Sequence, residues 1–207
     1  MPIRTIQLTD HEYNMCVQFS NESAKSQQDI EFGQRNTIPR SVKEIARDNL
    51  IGKMAEVAVV KMLREDYQLH LPINYEIYPR GEWDDNDIEV NRWTIDIKST
   101  RKGHFLLFEH NKVNFRKENG KLPDMIIMCR TPWNEATDSP ASHAVELIGC
   151  ISMRKLLNPN NKFVYNLKAG ECIPGTRSRL QAANYAVEFG NLSDIKVAMD
   201  YVLSHEP

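Results

Sequence analysis

The sequence predicts a mixed α/β (α+β) domain, a central mixed sheet flanked by helices, and three observations carry that reading. A long helical pattern, "SVKEIARDNLIGKMAEVAVVKMLRED" (residues 41–66), opens on a serine cap. Short apolar runs of strand length follow it, among them "DMIIMCR" and "HAVELIGCIS". Between them "NDIEVNRWTIDIKST" (Asn86–Thr100) alternates apolar and polar residues in both halves, as a hairpin does. One helix, then strands, then mixed elements fit a sheet with helices on its faces. At 207 residues and 41% hydrophobic composition the chain suffices for one sizeable core, so a single domain over 1–207 is expected.

Taken in order, residues 1–40 are polar and mixed, with a helix expected from Asp10 to Lys25, Asp10 as its cap, and then a loop through "FGQRNTIPRS". Ser41 caps the long helix, and Glu44 three residues later completes a capping box. "YEIYP" reads as a short strand, and "HFLLFEH" as a strand or a strand running into a helix. After "DMIIMCR" and "HAVELIGCIS", both strands, come a brief helix at "SMRKLL", a strand at "KFVYNL", a loop through "KAGECIPGTRSR" and a closing helix in "NLSDIKVAMDYVL".

Composition narrows the function classes. No apolar run approaches the roughly 18 residues needed to span a bilayer, and the N-terminus lacks a signal peptide's apolar stretch. The four cysteines, Cys16, Cys129, Cys150 and Cys172, lie far apart without a C-x-x-C pair, which fits reduced thiols in the cytoplasm. A net charge of −2 gives no global basic signature. Charge is uneven, however: Lys98, Arg101, Lys102, Lys112, Arg116, Lys117 and Lys121 face only Glu109 and Glu118 over residues 98–121. Such a stripe suits a phosphate backbone, and equally an ordinary solvated surface.

The hairpin carries the sharper signal. With Asn91-Arg92 as the turn, Val90 pairs with Trp93, Glu89 with Thr94, Ile88 with Ile95 and Asp87 with Asp96. Ile88, Val90, Trp93, Ile95 and Ile97 then form a core face, and Asp87, Glu89, Thr94, Asp96 and Lys98 the opposite one. Opposed carboxylates repel, which a structural hairpin gains nothing from, whereas a hard divalent cation wants converging oxygens. A wet sheet face is the bland alternative. Upstream, Glu56 stands alone among apolar and small residues from Met54 to Val60. An ionised carboxylate there needs a partner or a cation, or lies on one exposed stripe beside Lys53.

Glu56 within "GKMAEVAVV", Asp87 within "NDIEV", and Asp96 and Lys98 within "IDIKST" together resemble the PD-(D/E)XK nucleases of the restriction-endonuclease-like fold. Asn86 stands where that superfamily often has a proline. The resemblance covers about residues 41–130, the αβββαβ core, and leaves the N-terminal helical segment and the C-terminal α/β segment as embellishments. It implies a Mg²⁺-dependent phosphodiesterase, an endonuclease hydrolysing DNA in restriction, phage or mobile-element processing or repair, with Mn²⁺ as a substitute ion. Asp87, Asp96 and the Ile97 carbonyl would hold the ion, and Glu56 would contribute directly, through a water or to a second ion. Lys98 would orient or deprotonate the attacking water and stabilise developing charge. Arg101, Lys102, Lys112, Arg116 and Lys117 would contact nucleic acid. One site cuts one strand, so double-strand cleavage calls for a homodimer or two events. The alternative is a non-catalytic module gripping nucleic acid or protein on the same fold.

Other signals carry less. "GECIPGTR" has phosphate-loop spacing but Thr176-Arg177 in place of Lys-Ser/Thr, and His110 in "EHNKVNF" has no second histidine at useful spacing.

Overall fold

The structure, a computed structural model, describes residues 3–26, 41–78 and 87–207. In chain order these form β1 (Arg4–Gln7), α1 (Asp10–Ser26), α2 (Val42–Tyr67), β2 (Ile88–Val90), β3 (Trp93–Thr100), β4 (Phe105–Glu109), α3 (His110–Glu118) and β5 (Met125–Arg130). There follow β6 (Trp133–Asn134), β7 (Ser139–Pro140), β8 (Ala144–Ser152), α4 (Met153–Leu156), β9 (Val164–Leu167), β10 (Asn184–Glu188) and α5 (Ile195–Ser204).

The hairpin adopts the register its alternation dictates: Ile88 faces Ile95, Glu89 faces Thr94 and Val90 faces Trp93. Asn91 and Arg92 both take positive φ, 48° and 69°, which is the primed turn whose twist matches the strands it joins. The asparagine also anchors the C-terminal helix, its Nδ2 donating to the Val202 and His205 carbonyls at 2.9 and 3.1 Å. From this hairpin a five-stranded mixed sheet extends in the order β1-β8-β5-β3-β2, with β3 and β5 parallel and the other neighbours antiparallel. A second sheet, β4-β10-β9, and the two-stranded β6-β7 ribbon complete the strands.

Period-two alternation splits the large sheet into two buried faces. Ile95, Ile97, Met125, Ile127, Val145 and Leu147 pack with α1, α2 and α5. Ile126, Met128, Ile148 and Ile151 pack instead with β4, β10, α3 and α4. Helix α2 buries Met54, Ala55, Val57, Ala58 and Val59 completely, the pattern of a helix covered on most sides. Each such large apolar side chain contributes about 1.5–3 kcal/mol by leaving water. Its start is fixed by the capping box: Ser41 Oγ accepts from Glu44 N at 3.2 Å and Glu44 Oε2 accepts from Ser41 N at 2.8 Å.

Several expectations need revision. Helix α1 is capped by Thr9, not Asp10, since Thr9 and Glu12 exchange reciprocal bonds of 2.7 and 3.2 Å. Tyr75–Tyr78 of the "YEIYP" strand is irregular; the Asn74 side chain accepts from Glu76 N at 2.8 Å and turns the chain out of any ladder. Pro79, Asn86 and the loop at 32–40 lie outside the described residues. β1 is an addition at an edge, where only Ile6 of its four residues is buried, so no alternation announces it. β10 is also an addition, pairing with both β4 and β9. Among the described residues no helix is long and apolar enough to cross a membrane.

One close approach gives a stability test. Gly149 lies in β8 beside a register shift, and a Cβ there would stand 2.7 Å from Leu192 Cβ and 3.0 Å from the Ser193 carbonyl. That strap is held to β8 by the two bonds between Cys150 and Ser193, at 2.8 and 2.9 Å. Backbone cannot yield cheaply, so Gly149→Ala is expected to destabilise by about 1–3 kcal/mol in urea unfolding; an unchanged midpoint contradicts the packing.

Candidate active site on the β2–β3 hairpin

Asp96 is the most buried acid of the described chain, 1% exposed, in the middle of β3. Alternation sends it, with Lys98, to the face shared by Ile126 and Met128, its register partners' side of β5, and so towards α3 and β4. Arg116 reaches down from α3 and donates to Asp96 Oδ1 at 2.7 Å. Lys98 Nζ lies 2.5 Å from Oδ2. Its direction is poor for a hydrogen bond, so Oδ2 has an ion-pair neighbour but no directed donor. The Lys98 ammonium also sits 5.7 Å from the centroid of the Phe108 ring, which limits its freedom.

Asp87, the residue before β2, accepts a hydrogen bond from the Ile97 backbone N–H. Burial first, and then the Asp96 charge, push its carboxyl up to about 6 against the lowering by Lys98, the Ile97 N–H and Arg116. The two carboxylates are thus electrostatic neighbours, as their expected pairing requires. Since N–H and C=O of an extended residue leave a strand on the same side, the Ile97 carbonyl faces Asp87 as well. Glu89 is exposed on β2.

Glu56 sits in a different cluster. It is ion-paired with Lys53, which is itself 6% exposed, donates to the Asn74 carbonyl at 2.7 Å and stands 4.4 Å from the centre of the Phe19 ring. Cys16 and Tyr75 also feel the Glu56 charge. Helix α2 covers the sheet face of Ile95 and Ile97, opposite to that of Asp96 and Lys98. Among the described residues no group of three histidine, cysteine or acidic side chains gathers closely enough to hold a metal ion.

The basic stripe is partly spent inside the molecule. Arg101 pairs with Glu135 at 3.0 Å and Lys102 lies 3.7 Å from the same carboxylate. Arg116 turns inward to Asp96, a contact that no spacing in the sequence announces because it joins a strand to a helix 20 residues on. Lys112, exposed overall, has its amine lowered from the usual lysine value by desolvation, with Lys98 and Arg116 adding to that and Glu109 and Asp96 opposing it. Lys117 is exposed on α3. His110 is half-buried with Nε2 unbonded, its ring against Tyr185, and desolvation lowers its pKa. The 168–180 loop carries no helix after its glycines, so the phosphate-loop spacing there is coincidental.

Does this arrangement fit the divalent cation that the nuclease resemblance implies? Two carboxylates repelling each other, one with an oxygen lacking a directed donor, make an incomplete oxygen set of the kind a hard ion completes with water. The residues fit one ion held by Asp87 and Asp96; Glu56 is not gathered with them.

The raised Asp87 pKa sets a pH test with chelator present. The folded protein binds this proton more tightly than the unfolded chain, so stability from Asp87 is present below about pH 4 and is lost as pH rises to about 6. Asp87→Asn cannot lose it. The unfolding free-energy difference from urea titration, variant minus wild type, should climb between these values at up to roughly 1.4 kcal/mol per pH unit, then level off. A difference independent of pH contradicts the assignment. Comparison with protein-family models, with curated proteins and with solved structures finds no match to this chain.

Proposed function

We propose that the chain is a divalent-metal-dependent phosphodiesterase, an endonuclease of the PD-(D/E)XK type that hydrolyses DNA. The observation that carries the reading is the convergence of Asp87, Asp96 and Lys98 on the β2–β3 hairpin, with Lys98 2.5 Å from Asp96. Chain order adds support: α2, β2, β3, β4, α3 and β5 follow the helix, three strands, helix and strand of the restriction-endonuclease-like core. In departure from a single continuous sheet, β4 pairs with β10. The buried, free thiols of Cys16, Cys129 and Cys150 suit a reducing, cytoplasmic setting.

Asp87 and Asp96 would hold Mg²⁺ or Mn²⁺, with the Ile97 carbonyl as a further ligand. The ion, when bound, supplies a Lewis acid that lowers the pKa of a coordinated water and relieves charge on the phosphate. Lys98, fixed beside Asp96 and against Phe108, orients the attacking water and carries positive charge to the developing oxyanion. Lys112, Arg116 and Lys117 present charge on α3 for the phosphate backbone, so affinity falls as salt rises. Glu56, paired with Lys53, serves the fold in this reading. A homodimer would supply the second site for a double-strand cut.

That Glu56 pairing favours one rival, a non-catalytic module that grips nucleic acid on the same fold. Cleavage separates the two. Plasmid, linear duplex, single-stranded DNA and RNA incubated with Mn²⁺ should show wild-type cleavage of DNA that chelation stops. Asp96→Ala and Lys98→Ala should each lower the rate by at least about 100-fold, the scale of general acid–base and electrostatic contributions. Wild-type binding without cleavage under every metal tried would leave the binding module standing.

A further inference from the structure

Asp96 has more positive charge around it than one carboxylate needs. Arg116 holds Oδ1 at 2.7 Å, and Lys98 stands 2.5 Å from Oδ2. Lys112 shares this neighbourhood, and so do the carboxylates of Asp87 and Glu109. These three cations and three carboxylates balance one another before any metal ion enters. A divalent ion arriving alone meets a guanidinium and an ammonium at close range where water screens weakly. A neutral group of this kind accepts a cation readily only if an anion arrives too, or if one resident cation turns away.

The two cations on Asp96 differ in how they are carried: Lys98 on the strand of Asp96 itself, Arg116 on a separate surface helix. Lys98 belongs to the same strand as Asp96, two residues on, with its ammonium near the Phe108 ring. Arg116 comes from the surface helix α3, its side chain 22% exposed against 32% for Lys98, so what sets it apart is its element, with exposed Phe115 and Lys117 on either side. Its planar fork pairs with phosphate oxygens as well as with a carboxylate.

We propose that Arg116 is an exchangeable counter-ion of Asp96. It holds the carboxylate while the site is free of substrate and transfers to a phosphodiester oxygen when nucleic acid binds. Asp96 Oδ1 is then open to a divalent cation, so metal and phosphodiester bind cooperatively, each tightening the other by the same factor. The inference rests on the phosphodiesterase reading and adds the order of charge transfer to it. It also predicts a sign. Were Arg116 only a support that orients Asp96, its loss would weaken metal binding by about 10- to 100-fold; as a competing counter-ion, its loss strengthens it.

The test is calorimetric titration of Mn²⁺ into the full chain without nucleic acid, for wild type, Arg116→Gln, Arg116→Met, Arg116→Lys and Asp96→Asn. The Gln and Met variants should bind Mn²⁺ more tightly by about 5- to 150-fold, the usual span of coupling between two sites. The Lys variant should stay near wild type, and Asp96→Asn should lose binding. Ca²⁺ affinity of the wild type should rise when a short DNA duplex is present, and that gain should shrink in Arg116→Gln. Melting curves check folding; Gln keeps a donor for Asp96, so it decides the matter if Met unfolds. Unchanged or weaker Mn²⁺ binding by the Gln variant, with Asp96→Asn still defective, overturns the counter-ion role and leaves the phosphodiesterase reading intact. Mn²⁺ binding undiminished in Asp96→Asn, or absent from wild type, Gln and Met variants alike, removes both.

Discussion

A carboxylate buried in the centre of a sheet is the constraint on which the rest of this structure turns. Asp96 has apolar neighbours before and after it on β3, Ile95 and Ile97, and across the ladder on β5, Ile126, all buried. Stripping water from an ionised carboxylate costs several kcal/mol even after relaxation, and mutual attraction restores that only with close, well-directed partners. Arg116 and Lys98 are those partners. Helix α3 is therefore tied to β3 by a charge as well as by the apolar contact of Val113. A plain structural domain has no need of such an acid, since leucine or valine would fill the place without the electrostatic cost. Its presence is the physical reason for reading the hairpin as a site.

The two-layer arrangement explains how the acid can be buried and still near the surface helix. One face of the five-stranded sheet is closed by α1, α2 and α5, the other by the smaller sheet with α3 and α4. Residues 96 and 98 point to the second layer because residues 95 and 97 point to the first. A shift of β3 by one residue would place isoleucines against Arg116 and the carboxylate against α2. The Asn91-Arg92 turn, the parallel ladder with β5 and the anchoring of Asn91 to the end of α5 each oppose that slip.

What was legible in the sequence was local. The register of the hairpin, the turn and the two faces follow from period-two alternation over a dozen residues, and the α2 cap from Ser41 and Glu44. The closeness of Asp87 and Lys98 to Asp96 follows from the same local unit. Contacts between units were not legible. Nothing near Arg116 marks it as the partner of Asp96 and not as one more surface cation. Strand β4 has a plain apolar run, but that run does not say it will pair with β10, some 80 residues later, instead of extending the main sheet. β1 carries one buried residue in four, too short a pattern for any period to show.

Glu56 shows how two separate clues can be satisfied by a single cation, and how the structure offers one of them a partner of its own. A lone acid in a buried helix and an acidic hairpin each call for a cation, and placing one cation between them satisfies both at once. Lys53, one turn back on the same helix, is a cation paired with Glu56. Lys53 is too deeply buried to go without an acid: its ammonium lies under Phe19 and ties the Asn74 carbonyl to α2. Drawing Glu56 away to serve a metal would leave that ammonium uncompensated, at the roughly 3–5 kcal/mol typical of breaking a buried pair. The proposed chemistry therefore rests on the two hairpin carboxylates, Asp87 and Asp96, with Lys98 beside them.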